Sequence, residues 1–204
     1  MAVLLIAFVS SLKAFRLDIS HYKVISIILA TDLVVETAAM ILVHFHRSNV
    51  PIYNFNLLAE FWLYGYYFFL LESSRRVKGL IRIYLWLLPL VWMATALLFH
   101  IKNWNSYFTV LGSVSMVLLS ARYYYRLFTA QNLVKLSSHF EFWVATALIF
   151  YHACNLPYLG MLNLLTKRNI PGEIILLILQ VLNIIFYLIL AFAFICTIPI
   201  KKSS

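Results

Sequence analysis

Long apolar stretches separated by short polar ones dominate the chain. Six of them reach the roughly 17–25 residues that a helix needs to cross a bilayer, and a shorter one begins at Met1. No internal repeat and no Gly/Pro-rich linker interrupts the series. The pattern predicts an all-α fold, a polytopic membrane helix bundle formed by one domain over residues 1–204. The predicted transmembrane helices cover about residues 1–15, 22–45, 52–71, 80–100, 107–128, 140–165 and 173–198.

The first of these segments is the shortest. Residues 1–12 span only ~18 Å as a helix, so we expect the helix to extend towards Phe15, with Lys13 reaching back to the interface. The segment has neither the basic start nor the small-x-small site of a cleaved signal peptide. Seven crossings are therefore predicted, or six if this segment does not span.

The distribution of basic residues predicts the orientation. With seven helices, twelve Lys and Arg fall on the side that holds Arg75, Arg76 and the C-terminal lysines, and four fall on the opposite side. Cytoplasmic loops carry the excess of Lys and Arg. The N-terminus is therefore predicted outside and the C-terminus in the cytoplasm.

Composition supports lipid as the main solvent of the chain. Hydrophobic residues make up 64% and charged residues only 11%, against about 25% charged in ordinary soluble domains. The formal charge of +9 does not indicate nucleic-acid binding, because the basic residues are scattered between apolar runs. Cys154 and Cys196 lie inside apolar runs and form neither a disulfide pattern nor a metal motif.

Polar residues inside the predicted helices are the candidates for function, since each is costly in lipid unless it is paired or hydrated. Several are spaced three or four residues apart and share a helix face. Counted inward, the deep ones lie ~13–20 Å from the outer ends of their helices. We take them together as a candidate ligand or proton site. Its residues are Asp32, Glu36, Asn56, Glu60, Tyr151, His152, Asn155, Gln180 and Asn183.

The two glutamates are the most informative of these residues. Helices joined by a short loop lie side by side, so Glu36 and Glu60 are predicted at equal depth, close enough to share a proton. The alternative is that each is permanently protonated and hydrogen-bonds a helix. The alternative for Asn155, Gln180 and Asn183 is likewise a hydrogen bond to a neighbouring helix. His152 alone is more typical of an interior histidine than of a metal ligand. No catalytic residue, metal or cofactor is predicted.

The sequence also resembles a known group of proteins. The stretch Thr31-Asp-Leu-Val-Val-Glu36 followed by Tyr53-Asn-Phe-Asn-Leu-Leu-Ala-Glu60-Phe61 is similar to small seven-helix membrane proteins of Bacteroidota, and so are Phe142-Trp143, Tyr151 and Asn155 and the segment Leu182-Asn183-Ile184-Ile185. These proteins look like the membrane sensing modules of histidine kinases. The resemblance implies a bacterial inner-membrane location and a cytoplasmic signalling partner such as a histidine kinase.

Three functions stay open at this point. A sensor with a pocket open to the outer side fits the short loops and the polar layer. A proton-coupled transporter or channel fits the deep acids, although no internal repeat is visible. A lipid-modifying enzyme is the least favoured, because His152 is the only deep histidine and no Gly-x-Ser-x-Gly or His-Glu-x-x-His motif occurs. Assembly with further copies of the chain is left open.

Overall fold

The computed structural model describes residues 1–17, 19–99, 103–129, 139–167 and 172–196. Within these residues the fold is all helical. The prediction of an all-α bundle with seven helices is confirmed, and a single helical turn, α2, follows the first of them. The helices are α1 (Ala2–Ser11), α2 (Ala14–Leu17), α3 (Ser20–His44), α4 (Val50–Leu71), α5 (Arg75–Phe99), α6 (Ser106–Thr129), α7 (Phe140–Lys167) and α8 (Gly172–Cys196).

Three helices of the described residues are long and apolar enough to cross a membrane. They are α3, residues Arg75–Leu98 of α5 and residues Leu177–Cys196 of α8. The predicted first helix over residues 1–15 is interrupted after Ser11. There the Leu12 amide donates to the Val9 carbonyl in a tighter turn, and α2 follows as a separate piece. Ten residues of α helix are only ~15 Å long. That all seven helices cross, with the N-terminus outside, stays a prediction.

Helix α5 begins five residues earlier than predicted. Its basic first turn, Arg75–Lys78, is helical because Ser74 starts the helix and accepts the Lys78 amide hydrogen bond at 2.9 Å. The Glu72 carboxylate in turn accepts the Ser74 amide at 2.8 Å. The hydropathy of a segment shows which part of a helix can lie in lipid, but it does not show at which residue the backbone hydrogen bonds of the helix begin.

Six helices form a closed ring. Helix α1 packs between α3 and α8, and the ring continues through α4, α6 and α7 back to α8. Helix α5 lies outside this ring, against α4 and α6. The difference is visible in the side chains, since Trp86 of α5 is 78% exposed whereas Phe61 of α4 is 1% exposed. Large exposed apolar side chains on α5 are what a lipid-facing helix requires.

The interior of the ring is closely packed around Phe61. Its ring lies 5.6 Å, between centroids, from the rings of both Phe108 on α6 and His152 on α7. Gly112 makes this position available, because a Cβ at residue 112 would lie 2.0 Å from the Phe61 ring. A glycine in α6 thus sets how closely α4 and α6 approach.

The ends of the bundle are tied by polar contacts. At the end where α3 connects to α4, the Asn54 side-chain amide donates to the Asn103 carbonyl at 2.8 Å, and its oxygen accepts the Asn105 amide at 3.1 Å. We call this the α3–α4 end. At the opposite end, which we call the α4–α5 end, Glu72 pairs with arginines of α6 and His21 of α3 pairs with Glu141 of α7. Consecutive long helices therefore run antiparallel.

Candidate functional site

Two carboxyl groups from neighbouring helices meet inside the ring. Asp32 of α3 and Glu60 of α4 are bridged by one side-chain amide, that of Asn56. The Asn56 amide nitrogen donates one hydrogen to Asp32 Oδ1 at 3.3 Å and the other to Glu60 Oε1 at 2.7 Å. Asp32 is 3% exposed and Glu60 is half-buried. We call Asp32, Asn56 and Glu60 the carboxyl cluster.

A third helix joins the cluster through a phenol. The Tyr187 hydroxyl of α8 donates to Asp32 Oδ2 at 3.2 Å, so that α3, α4 and α8 are linked through one carboxyl group. Tyr151 of α7 and Tyr64 of α4 lie within electrostatic range of Asp32 and Glu60. The cluster therefore lies among tyrosine rings contributed by three helices.

Not every polar atom around the cluster has a partner. The Tyr64 hydroxyl and the Asn56 side-chain oxygen are buried and make no hydrogen bond to any residue that the structure describes. Leaving such a group unpaired costs on the order of 1–3 kcal/mol. One hydroxyl and one free acceptor beside two carboxyls are the groups that an extra proton, a water molecule or a small cation would engage.

The acids of the interior have no counter-charge within the described part of the chain. No lysine, arginine or histidine there forms an ion pair with Asp32, Glu36 or Glu60. Nor do three or more His, Cys, Asp or Glu side chains converge there as they would around a metal ion. Two ionised carboxylates in contact and away from water would be very costly.

The partner of Glu60 differs from the predicted one. Glu36, the expected partner, is half-buried and accepts a hydrogen bond from the Tyr53 hydroxyl at 3.2 Å. Counted from the observed helix ends, Glu60 is ten residues into α4 (60 − 50) and Glu36 is eight residues from the end of α3 (44 − 36). The level of Glu60 thus falls between Glu36 and Asp32. Of these two, Asp32 points into the ring.

His152 and Asn155 of α7 form a second polar spot. Both are buried, and His152 Nδ1 lies 3.3 Å from the Ser113 hydroxyl of α6. His152 Nε2 and both amide atoms of Asn155 have no hydrogen-bond partner among the described residues. The His152 side chain contacts Ser113 and the rings of Phe61 and Tyr151.

Two of the predicted site residues lie on α8. Gln180 is exposed and Asn183 is half-buried. Gln180 lies about two helical turns before Tyr187, and no hydrogen bond joins it to the cluster among the described residues. Tyr187, which shares a helix face with Asn183, is the α8 residue that reaches Asp32.

Sequence reasoning left out of the site four residues that the structure places in or beside it. Tyr64 follows Glu60 by four residues and Tyr187 follows Asn183 by four, so a helical spacing signal was present for both. Tyr53 and Ser113 carry no such signal, because their roles depend on which helices become neighbours. Comparison of the chain with protein-family models, with curated proteins and with solved structures gave no match.

Proposed function

We propose that the protein is an integral membrane sensor of the bacterial inner membrane, crossing it seven times with the N-terminus outside. In this proposal the carboxyl cluster binds a proton, exchanges it for a cationic ligand, and relays its state to a cytoplasmic partner. The resemblance to the sensing modules of histidine kinases makes a kinase the expected partner.

The location rests on three observations. Three helices are long and apolar enough to span, large apolar side chains cover the outside of the bundle, and basic residues are divided twelve to four between the two sides. With the twelve on the cytoplasmic side, the α4–α5 end is cytoplasmic and the α3–α4 end faces outward.

The observation that carries the functional proposal is that the Asn56 amide bridges the Asp32 and Glu60 carboxyls, at 3.3 and 2.7 Å, with no ion-pair partner for either acid among the described residues. Two neighbouring carboxyls without a counter-charge are not expected to be ionised together, so we infer that the pair holds one shared proton. Side-chain exposure decreases from the α3–α4 end towards the cluster, since Tyr53 and Glu36 are half-buried and Asp32 is buried. This gradient supports access from the outer side.

The connections of the cluster supply a relay. Removal of the shared proton, or its replacement by a cation, would change the hydrogen bonds that hold α3, α4 and α8 together. Helix α4 leads to the α4–α5 end, where Glu72 contacts Arg122 and Arg126 of α6. A small movement of α4 would thus reach α6 at the side proposed to face the partner. Helix shifts of about 1–2 Å are typical of such transitions.

The experiment measures that movement. Spin labels are placed at Ser73→Cys, just beyond the end of α4, and at Thr129→Cys, the last residue of α6, with Cys154 and Cys196 replaced by alanine. In lipid nanodiscs they report the distance between the ends of the two helices at the α4–α5 end. We expect a change of about 1–2 Å between pH 5 and pH 8. Asp32→Asn should abolish the change, and Gln180→Ala should preserve it because Gln180 is exposed on α8.

Two further controls separate the alternatives. His21 contacts Glu141 at 2.7 Å at the α4–α5 end and lies away from the carboxyl cluster, so His21→Gln should leave the distance change intact. A constant distance in the parent protein would contradict the sensor proposal. The carboxyl pair would also serve a proton-coupled transporter, and proton flux into liposomes that Asp32→Asn abolishes would favour that function instead.

A further inference from the structure

A groove lies at the α4–α5 end, between α4, α5 and α6. The groove is open on one side, and its empty space of about 220 Å³ includes the solvent at its mouth. Apolar side chains from all three helices form its walls, namely Phe68 and Leu71 of α4, Ile81 of α5 and Leu119 of α6. The groove exists because α5 lies outside the ring and only touches α6.

Two arginines line the groove beside a single acid. The Arg122 Nε lies 3.3 Å from Glu72 Oε2, and the Arg126 Nη1 lies 3.4 Å from Glu72 Oε1. Arg126 also donates to the Leu71 carbonyl at 2.8 Å. A guanidinium has five N–H donors, so most of these donors are not used by Glu72 or by Leu71. The arginine side chains remain 35% and 31% exposed, respectively.

Glu72 neutralises only one of these two charges. Burial works against its ionisation, but the Ser74 amide, Arg122 and Arg126 outweigh burial and hold the pKa of the Glu72 carboxyl below its ordinary value. The group is therefore ionised at neutral pH. Two cations and one anion leave a net positive charge beside the apolar walls.

We propose that this groove binds an anionic phospholipid. The headgroup phosphate contacts Arg122 and Arg126, and an acyl chain lies against Leu71 and Leu119, the apolar residues of the groove that are partly exposed. Basic pockets between helices on the cytoplasmic side are a known way to recognise anionic headgroups. A free phosphate ion would leave Leu71 and Leu119 uncovered, which favours a lipid. The proposal rests on the membrane location proposed above, but not on the carboxyl cluster.

The test is a lipid titration of the purified full chain in detergent, followed by native mass spectrometry, with phosphatidylglycerol and phosphatidylcholine as probes. We expect one phosphatidylglycerol to bind at least about fivefold more tightly than phosphatidylcholine. Arg122→Gln should remove most of this preference, and Arg122→Lys should retain part of it because the charge remains. Arg76→Gln is the matched control, because Arg76 is a fully exposed arginine at the same end.

A second variant tests the groove without a change of charge. Leu119→Trp fills the space between α5 and α6, so it should weaken phosphatidylglycerol binding while both arginines are still present. An equal loss in Arg76→Gln and Arg122→Gln would overturn the proposal in favour of general surface charge. Equal competition by inorganic phosphate would overturn it in favour of an anion site. Asp32→Asn should not alter lipid binding, so failure of the sensor proposal would be recognised separately.

Discussion

Acidic residues occur in two contrasting regions of this bundle. Asp32 and Glu60 lie inside the ring, where the Asn56 amide donates to both carboxyls and the Tyr187 hydroxyl donates to Asp32. Glu72 lies at the α4–α5 end, with its side chain 3% exposed, and contacts two arginines and a backbone amide. Both regions withdraw carboxyl groups from water, and they compensate for that in different ways.

The difference shows that counter-charge decides the state of a buried acid. Glu72 is ionised because two guanidinium groups offset its burial. The interior pair has no ion-pair partner among the described residues, and in the proposed function a shared proton takes the place of one. A group held by a proton can lose or exchange it, whereas one held by arginines is fixed. The interior pair is thus suited to a response, and Glu72 is suited to holding α4 against α6.

The largest loss of stability is expected when Glu72 loses its two arginine partners. Arg122→Leu with Arg126→Leu leaves a buried carboxyl without a counter-charge, and we expect a loss of about 2–4 kcal/mol in the free energy of unfolding. Adding Glu72→Gln should restore at least half of that loss, because no charge is then left unpaired. Denaturant unfolding in detergent at pH 7 measures both values. No recovery in the triple variant would show that packing, and not charge, is responsible.

Packing differs between the same two regions, and two glycines test it. Gly112→Ala places a Cβ against Phe61, which is 1% exposed and enclosed, so we expect a loss of about 2–3 kcal/mol. Gly79→Ala, near the α4–α5 end, meets nothing within 4 Å and should be neutral or stabilising by up to about 1 kcal/mol. Thermal unfolding in detergent compares the two variants. Similar losses at both positions would contradict the close approach of α4 and α6.

The ionised state of Glu72 predicts a pH dependence. A carboxyl whose folded-state pKa is lowered contributes stability above its unfolded-state pKa of about 4.3, and loses it as the pH falls through the folded-state value. Glu72→Gln should therefore cost about 1 kcal/mol at pH 7 and progressively less as the pH falls below about 4. Unfolding measured over this range checks the sign. A penalty that grows on acidification would contradict the ion pairs.

The smallest expected effect concerns a neutral hydrogen bond of the interior region. Tyr187→Phe removes the donor to Asp32 and should cost about 0.6 kcal/mol, the average for such bonds between membrane helices. Tyr125→Phe removes a hydroxyl from a 63% exposed ring and should be neutral. Paired unfolding measurements in one detergent resolve the difference. A Tyr187→Phe variant indistinguishable from Tyr125→Phe would remove α8 from the cluster.

The helices were predictable from the sequence because length and hydropathy are local properties. The number of long helices could be identified from the apolar stretches. The polar faces of α3 and α4 could be identified from Asp32, Asn56 and Glu60. The ring was not predictable, since no local pattern states that α5 lies outside it. A register difference of a few residues decided that Glu60 contacts Asp32 and not Glu36. That Tyr187 is the α8 residue bonded to Asp32 was not predictable either, because a mostly apolar helix gives little indication of which polar side chain will reach its neighbour.

The proposed sensor requires a proton shared by Asp32 and Glu60. Infrared spectroscopy of the protein in lipid detects such a protonated carboxyl directly. We predict one protonated-carboxyl band at neutral pH that shifts in deuterated water and disappears in both Asp32→Asn and Glu60→Gln. Glu36→Gln should retain this band, because Glu36 bonds Tyr53 and lies outside the pair. A band that survives in Asp32→Asn and in Glu60→Gln, or is lost only in Glu36→Gln, would contradict the shared proton.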